Sequence, residues 1–316
     1  MAPAAPGADP EQLMKTAVQE TLPLLDLPEV PTASDWCRRW THFKPSWRHR
    51  SDGGFDARRF EVHPLPEKPA KDFVLAHHYS ASYPSATRRY GLYDNLEGEL
   101  RLCGVAVFGV PAGSKVLTST LPDLQPNTES LLCSRFVLTD ACPGNSESWF
   151  LARCFEDLLA AGVRGVVSFA DPVPRQDASG TLIAVGHVGT IYKASNAIYT
   201  GRAPARTIKL LPDGTVLHDR AAQKVRRQEQ GHRYVENMLI SLGAPAPRAG
   251  SDPGTWLREA LAAIGTRDLR HRGAHRYVFP LGKNRREREL IRLGRPQISP
   301  PPRQPDQPQP AHPNCR

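Results

Sequence analysis

The 316-residue chain lacks any cysteine pattern that would staple or metallate a fold. Its six cysteines, at 37, 103, 133, 142, 154 and 315, form no C-x-x-C pair and no zinc spacing. Cys103, Cys133 and Cys154 sit in apolar runs, where cysteine serves as a small buried hydrophobe. That usage fits a reducing cytoplasm. No apolar run approaches the roughly 20 residues of a membrane helix. The first ten residues have neither the basic start nor the apolar core of a signal segment. A soluble, cytoplasmic protein without membrane contact is expected. Neither G-x-G-x-x-G nor G-K-[ST] occurs, which argues against a Rossmann enzyme or a P-loop ATPase. No internal repeat is present.

What is abundant is proline and positive charge. There are 31 prolines, concentrated toward the two ends, and the net charge is +9. Residues 202–295 carry 20 Lys and Arg against 9 Asp and Glu, so the rest of the chain is slightly acidic. A basic C-terminal third on a near-neutral body points to a polyanion, with double-stranded DNA first. Arg202, Lys224, Arg226, Arg227 and Arg233 are the candidate DNA-binding residues. A solvated basic surface is the plainer reading of the same charges.

Patterning divides the chain into five stretches. Residues 1–31 read as a flexible Ala/Pro-rich segment. Residues 32–70 read as a Trp-rich extension, with Trp36 and Trp40 spaced to share a helix face. Residues 71–218 form the expected catalytic core, 219–295 a basic helical region with a returning edge strand, and 296–316 a disordered Pro-rich tail. In the core, Glu99–Val110, Glu129–Leu138 and Val163–Ala170 read as buried strands. Ser146–Ala161 reads as a helix, apolar at 150, 151, 154, 155, 158 and 159, with Asn145 as its N-cap. Strand, helix and strand within about 40 residues imply a crossover and a parallel pair. The fold class expected is α/β (α+β), a central mixed sheet flanked by helices.

Four constellations carry chemistry. His77-His78-Tyr79-Ser80 combines an imidazole that titrates near neutrality with a phenol that can donate to an oxyanion. The turn before Ser146 offers free N–H groups at a helix start, able to hold the pyrophosphate of CoA or a nucleotide. Ser146 and Ser148 could add hydroxyls there. Asp171 ends a buried strand, where ligands of parallel sheets bind, and Pro172 keeps it extended. The run GHVGTIYKASNAIYTGR, from Gly186, places His187 and Tyr192 near glycines that allow close backbone approach. His78, Asp171 and His187 could together form a two-His-one-carboxylate iron site; a hydrogen-bonded general-base set is equally compatible.

The segments HHYSASYPSATRRYGLYD, LCGVAVFGVP, SRFVLTDACPGNSESWFL, VVSFADP and GHVGTIYKASNAIYTGR resemble the phage Mom family, from about Phe73 to Tyr277. That resemblance implies a GNAT-like fold and conversion of adenine in DNA to its N6-carbamoylmethyl form, which protects phage DNA from restriction. It implies acetyl-CoA as cofactor. It assigns His78, Tyr79, Asp171 and Tyr192 to the substrate and possible metal centre, and Arg135 and Ser148 to acetyl-CoA. The strand through Arg135, Phe136 and Val137 would then run along the pantetheine arm, and the turn of Asn145, Ser146 and Ser148 would face the pyrophosphate. Two features depart from the pattern. TDACPGNSES replaces the usual R-x-x-G-x-G/A loop, and a polar insertion follows Asp171. His78 or Asp171 would be the base, and Tyr79 or Tyr192 the oxyanion donor. Adenine N6 is a poor nucleophile, and a product joined through a methylene is not made by plain acyl transfer, which leaves room for a redox metal. The alternatives are a GNAT N-acetyltransferase for a small amine, a protein or a modified base, and a non-catalytic DNA-binding protein on the same scaffold.

Overall fold

The computed structural model describes residues 36–41, 44–49 and 54–300, apart from 81, 97, 114 and 185. The segments 1–31 and 301–316 lie outside the described residues. The first described elements are β1 (Trp36–Thr41) and β2 (Lys44–His49), an antiparallel pair where the tryptophan spacing predicts a helix.

The main sheet is then laid down almost continuously. In order come β3 (Phe60–Pro64), α1 (Glu67–His77), β4 (Ala86–Leu96), β5 (Glu99–Gly109), the short α2 (Lys115–Thr118), β6 (Ser130–Leu138), α3 (Ser146–Ala160) and β7 (Gly165–Ala170). A small hairpin, β8 (Arg175–Gln176) and β9 (Leu182–Ala184), occupies the insertion after Asp171. There follow α4 (Thr190–Ala194), β10 (Ile198–Arg202), β11 (Arg206–Leu210), β12 (Val216–Leu217), α5 (Asp219–Arg227), α6 (His232–Ser241), α7 (Pro253–Ala263), β13 (Arg267–His271), β14 (His275–Pro280) and α8 (Arg285–Glu289).

Seven strands form one sheet in the order β10-β14-β7-β6-β5-β4-β3. Every neighbouring pair is antiparallel except β6 and β7, which are joined through α3. This is the parallel crossover read from the sequence. Strand β3, expected to be a connection, is the sheet's edge. Strand β14, expected at an edge, instead lies between β10 and β7. A strand of His-Arg-Tyr-Val-Phe-Pro carries charge, yet five of its six residues are buried.

The two sheet faces have different partners. Helix α3 covers one, placing Phe150, Leu151, Cys154 and Leu158 against Leu131, Cys133, Val166 and Tyr277. Helix α1 covers the other near β5, with Ala70 and Val74 against Val105, Val107 and Val137. Leu117 and Leu121 cover the same face at Val167 and Val278. Full burial of a Leu or Phe side chain contributes roughly 1.5–3 kcal/mol, so these layers hold the rim rigidly.

Between β10 and β14 the chain makes an excursion with a core of its own. Strands β12, β11 and β13 form a small antiparallel sheet. Helices α5, α6 and α7 pack on it through Leu211, Leu217, Val225, Leu239, Trp256 and Leu257. The base of the excursion is closed by Ala203 N–H donating to Ala274 O at 2.8 Å. Gly273 sits there at φ 91°, and a Cβ on it would overlap the Ala203 carbonyl. The helical stretch predicted over 219–241 breaks at Gln228–Gly231, where Gln228 and Gly231 both take left-handed backbone.

The basic third is therefore divided. Arg202 ends β10, exposed; Arg226, Arg227 and Arg233 are exposed on α5 and α6, and Lys224 is half-buried. The cations of 283–295 lie elsewhere. Glu287 in α8 pairs with Arg164, just before β7, and Arg292 pairs with Asp123. Asp171 lies at the other end of β7, about 20 Å away at the rise of an extended strand. The chain stays against the sheet past residue 296, since Ile298 N–H donates to Tyr199 O at 3.0 Å.

One buried group makes the fold acid-sensitive. His275, 1% exposed, accepts or donates at Nδ1 to the Tyr199 hydroxyl at 2.8 Å, while its Nε2 is buried without a partner. Burial, then the charges of Arg202 and Lys193, push its imidazole down to about 4. An unfolded chain takes up this proton near its ordinary value of 6.5, so between about pH 6.5 and 4 only the unfolded state is protonated here. Stability is then full above pH 6.5 and falls as the pH drops toward 4, by about 3 kcal/mol from this group. Urea unfolding at pH 7 and pH 4.5 should show this fall, and His275→Gln should flatten it. An unchanged pH slope in that variant would assign the loss to other groups.

Candidate active site

The site grows from a defect in strand pairing. Strand β6 pairs with β7 only over Ser130–Cys133, opposite Gly165–Ser168. Beyond that point the two strands separate. On its other side, the register between β6 and β5 shifts so that Ser134 and Arg135 together face Val107. Such a bulge bends a strand and re-aims a side chain. Arg135 is thereby turned toward the α1 face. Its Nε donates to Ser82 O at 3.0 Å, one terminal nitrogen to Ser134 O at 2.6 Å, and the other to Ser82 Oγ at 2.8 Å. All of these acceptors are neutral. Burial holds the guanidinium below its ordinary value, opposed by Tyr79, Tyr192 and Cys133.

Helix α1 ends at the same rim, with His78 as its C-cap and Tyr79 following. His78 is buried, and its Nδ1 accepts from Ser80 N–H at 3.1 Å with Ser80 Oγ at 2.9 Å. That arrangement places the ring proton on Nε2. Burial, then Arg135 and His187, hold this imidazole well below its ordinary value, so it is neutral. Tyr79 stacks on it at 4.4 Å, and His187 meets Tyr79 edge-on at 6.1 Å. A small cleft opens here between Tyr79, Asp171, Arg175, Gly186 and His187.

Asp171 leaves β7 at the cleft floor. Oδ1 accepts from Val173 N–H at 3.0 Å and from His271 Nε2 at 2.9 Å; Oδ2 accepts from Arg175 at 2.7 Å. Burial raises its affinity for a proton, but Arg175, Val173 N–H and His271 outweigh it, so the carboxyl lies below its usual range. His271 is itself fixed, its Nδ1 accepting from Gly273 N–H at 3.0 Å. His271 belongs to β13, one hundred residues from Asp171, in a strand of charged residues (RDLRH) that gave no sign of a buried histidine.

Tyr192, buried on α4, lies beneath the gap between β6 and β7. Its phenol stands close to Cys133, Tyr79 and Ser168, and burial keeps it well above its ordinary value. Its ring packs on Tyr277 at 5.4 Å. The turn before it needs glycine. Gly189 has φ 74°, and a Cβ there would lie 2.6 Å from Tyr277 and 3.0 Å from Tyr192. The Tyr277 hydroxyl holds the turn by donating to Val188 O. Cys133, beside this phenol, is pushed up to about 12 by burial and so is not a thiolate nucleophile at neutral pH.

The structure thus brings His78, Tyr79, Arg135, Asp171, His187 and Tyr192 to one rim. It does not make the iron site. Both Asp171 oxygens are engaged, and among the described residues no group of three His, Cys, Asp or Glu side chains could hold an ion. The helix start also differs from expectation. Asn145 adopts left-handed backbone at φ 70° and makes no side-chain cap. Ser146 is fully buried and its hydroxyl donates to Pro143 O at 2.7 Å; Ser148 donates to Asn145 O at 3.2 Å. Their hydroxyls satisfy the loop. The anion-binding groups left are the backbone N–H groups of the first turn of α3. Together with the strand edge of 134–138, where β6 has left β7, these groups line the gap.

No curated protein matches the sequence. Among solved structures, similarity extends to a GNAT-family N-acetyltransferase from Escherichia coli in complex with CoA (14% identity, TM-score 0.26, covering 38% of this chain and 67% of that one). It extends also to an N-acetyltransferase from Staphylococcus aureus Mu50 (15% identity, TM-score 0.28, covering 47% and 87%). A third is a tandem GNAT protein from the clavulanic acid biosynthesis pathway (12% identity, TM-score 0.29, covering 71% and 75%). A family model described as the Mom protein family matches residues 59–297.

Proposed function

Because this chain belongs to the Mom protein family, we propose that it is an acetyl-CoA-dependent transferase that modifies the exocyclic amine of adenine in double-stranded DNA; a carbamoylmethyl product, joined through the methyl carbon and ending in an amide, would require an amide-nitrogen donor and a two-electron oxidant besides acetyl-CoA. The observation that supports this most is the gap between β6 and β7, edged by free strand backbone and the start of α3, opening beside the cleft of Tyr79, His187 and Asp171. When bound, acetyl-CoA supplies an activated two-carbon unit. The chain's own residues hold and orient it.

Within that reading the roles divide by hydrogen bonding. Asp171, with a depressed proton affinity and both oxygens engaged, is a poor base and anchors Arg175 and His271. His78 presents Nε2–H and is a donor. Tyr192 stays protonated at all working pH values and can donate to a developing oxyanion. His187 and Tyr79, facing each other across the cleft, are the groups placed to meet the amine. Adenine must leave the base stack to reach them. The exposed Arg226, Arg227 and Arg233, with Tyr234 at 76% exposure beside Arg233, would hold the duplex through its phosphates.

Nucleoside mass spectrometry of DNA from cells expressing the protein tests this. Deoxyadenosine bearing a carbamoylmethyl group is expected. Acetylated deoxyadenosine would leave the fold reading intact and replace the product. DNA without any modified adenosine would overturn the function.

A further inference from the structure

Two basic side chains near the cleft have no part in the chemistry above. Arg206 is the cross-strand partner of His271 in the β11–β13 ladder. Directly opposed residues lie on one face with their Cβ atoms about 5 Å apart. Since His271 reaches Asp171 Oδ1 at 2.9 Å, Arg206 stands next to the histidine that clamps the cleft's carboxylate. It is exposed, and among the described residues it makes no hydrogen bond or ion pair. His218 precedes α5 as its N-cap residue. The β11–β12 ladder, with Leu210 opposite Val216 and Lys209 opposite Leu217, leads His218 to the position beside Ile208, two residues from Arg206 on the same face.

The charges there are not balanced. Arg175 is neutralised by Asp171. Arg135 has only serine oxygens as acceptors, and Arg206 has none. An exposed guanidinium without a carboxylate, with an imidazole beside it on the same face, can take an anion. Guanidinium matches the oxygens of a phosphate bidentately. We propose that Arg206 and His218 form a phosphate subsite that grips the phosphodiester of the DNA strand next to the target base. This rests on the reading of the chain as a DNA-modifying enzyme. Continuity favours nucleic acid over the cofactor's phosphates. Both residues belong to the excursion between β10 and β14, which also carries the exposed Arg226, Arg227, Arg233 and Tyr234, whereas the cofactor gap lies between β6 and β7. The subsite would fix an extruded nucleotide by its own backbone while Tyr79 and His187 meet the base.

The full-length protein and its Arg206→Gln, Arg206→Lys and His218→Asn variants are titrated with a double-stranded oligonucleotide at several salt concentrations, and separately with acetyl-CoA. Arg206→Gln should weaken duplex binding about fivefold to tenfold and reduce the slope of log affinity against log salt by about one. His218→Asn should weaken it less, Arg206→Lys should retain most of the binding, and acetyl-CoA affinity should not change. An unchanged slope in Arg206→Gln would overturn the subsite. A loss of acetyl-CoA affinity instead would reassign it to the cofactor's phosphates and equally overturn the proposal. Modified nucleosides made by the wild-type protein separate the two levels of failure. If they are present and the slope is unchanged, only the subsite falls; if the wild type neither binds nor modifies DNA, the functional reading falls and the subsite with it.

Discussion

Asp171→Asn should abolish most DNA modification, by two orders of magnitude or more, and lower stability by about 2 kcal/mol. Three donors converge on this carboxylate, from Val173, His271 and Arg175. An amide keeps one oxygen and turns an N–H₂ toward one of those donors. The guanidinium of Arg175, 13% exposed, then loses its counter-charge. Loss of a partner from a fully buried pair costs about 3–5 kcal/mol, and the 22% exposure of Asp171 reduces this. The activity loss follows because Arg175 and the hairpin that carries it form the cleft wall. His271→Ala separates positioning from proton transfer. If Asp171 works through its partners, this variant should lose at least tenfold, and the double variant should be little worse than Asp171→Asn alone. Full activity in His271→Ala beside a dead Asp171→Asn would instead put Asp171 on the substrate. Unfolding curves and nucleoside yields on the same preparations provide both readouts.

Tyr192→Phe should behave differently, with a stable fold and about a hundredfold loss of product formation. The ring packs on Tyr277 and Phe279, and phenylalanine keeps those contacts. What it removes is a buried hydroxyl that stays protonated across the working range. Removing one preorganised donor to a developing oxyanion costs about 10²–10³ in rate. Tyr277→Phe is the control. Its hydroxyl donates to the Val188 carbonyl, so its loss should cost about 1 kcal/mol of stability and affect activity only through the Gly186–Gly189 turn. Unreduced turnover in Tyr192→Phe would make Tyr192 a packing residue and leave Tyr79 as the remaining phenol.

Several site residues were legible because local pattern fixes them. Buried strands at 130–138 and 165–170, with an amphipathic helix between them, imply a parallel crossover and hence a rim at Asp171. His78 and Tyr79 follow an amphipathic α1, and Tyr192 follows the glycine turn. Their supporting partners were not legible. His271 comes from a strand whose composition reads as exposed, and its burial depends on an excursion of about seventy residues that folds back against β7. Arg175 lies in a polar hairpin that reads as a surface loop. The iron site failed for the same reason, since the carboxylate's partners, invisible in sequence, already fill it. The serines at the α3 start satisfy a left-handed turn at Asn145, which the N-cap reading did not anticipate.

By itself, then, the sequence determined the central elements β5, β6, α3 and β7, the parallel β6–β7 pair, and the basic bias after residue 202, because periodicity, turn chemistry and net charge are local or additive properties. Only the tertiary structure decided that β14 lies inside the sheet, that the basic residues fall into two groups at opposite ends of β7, and that Asp171 is clamped by His271 and Arg175. Those outcomes depend on which distant strands pair and on which buried polar atoms find partners, and burial makes it costly for such an atom to go without one.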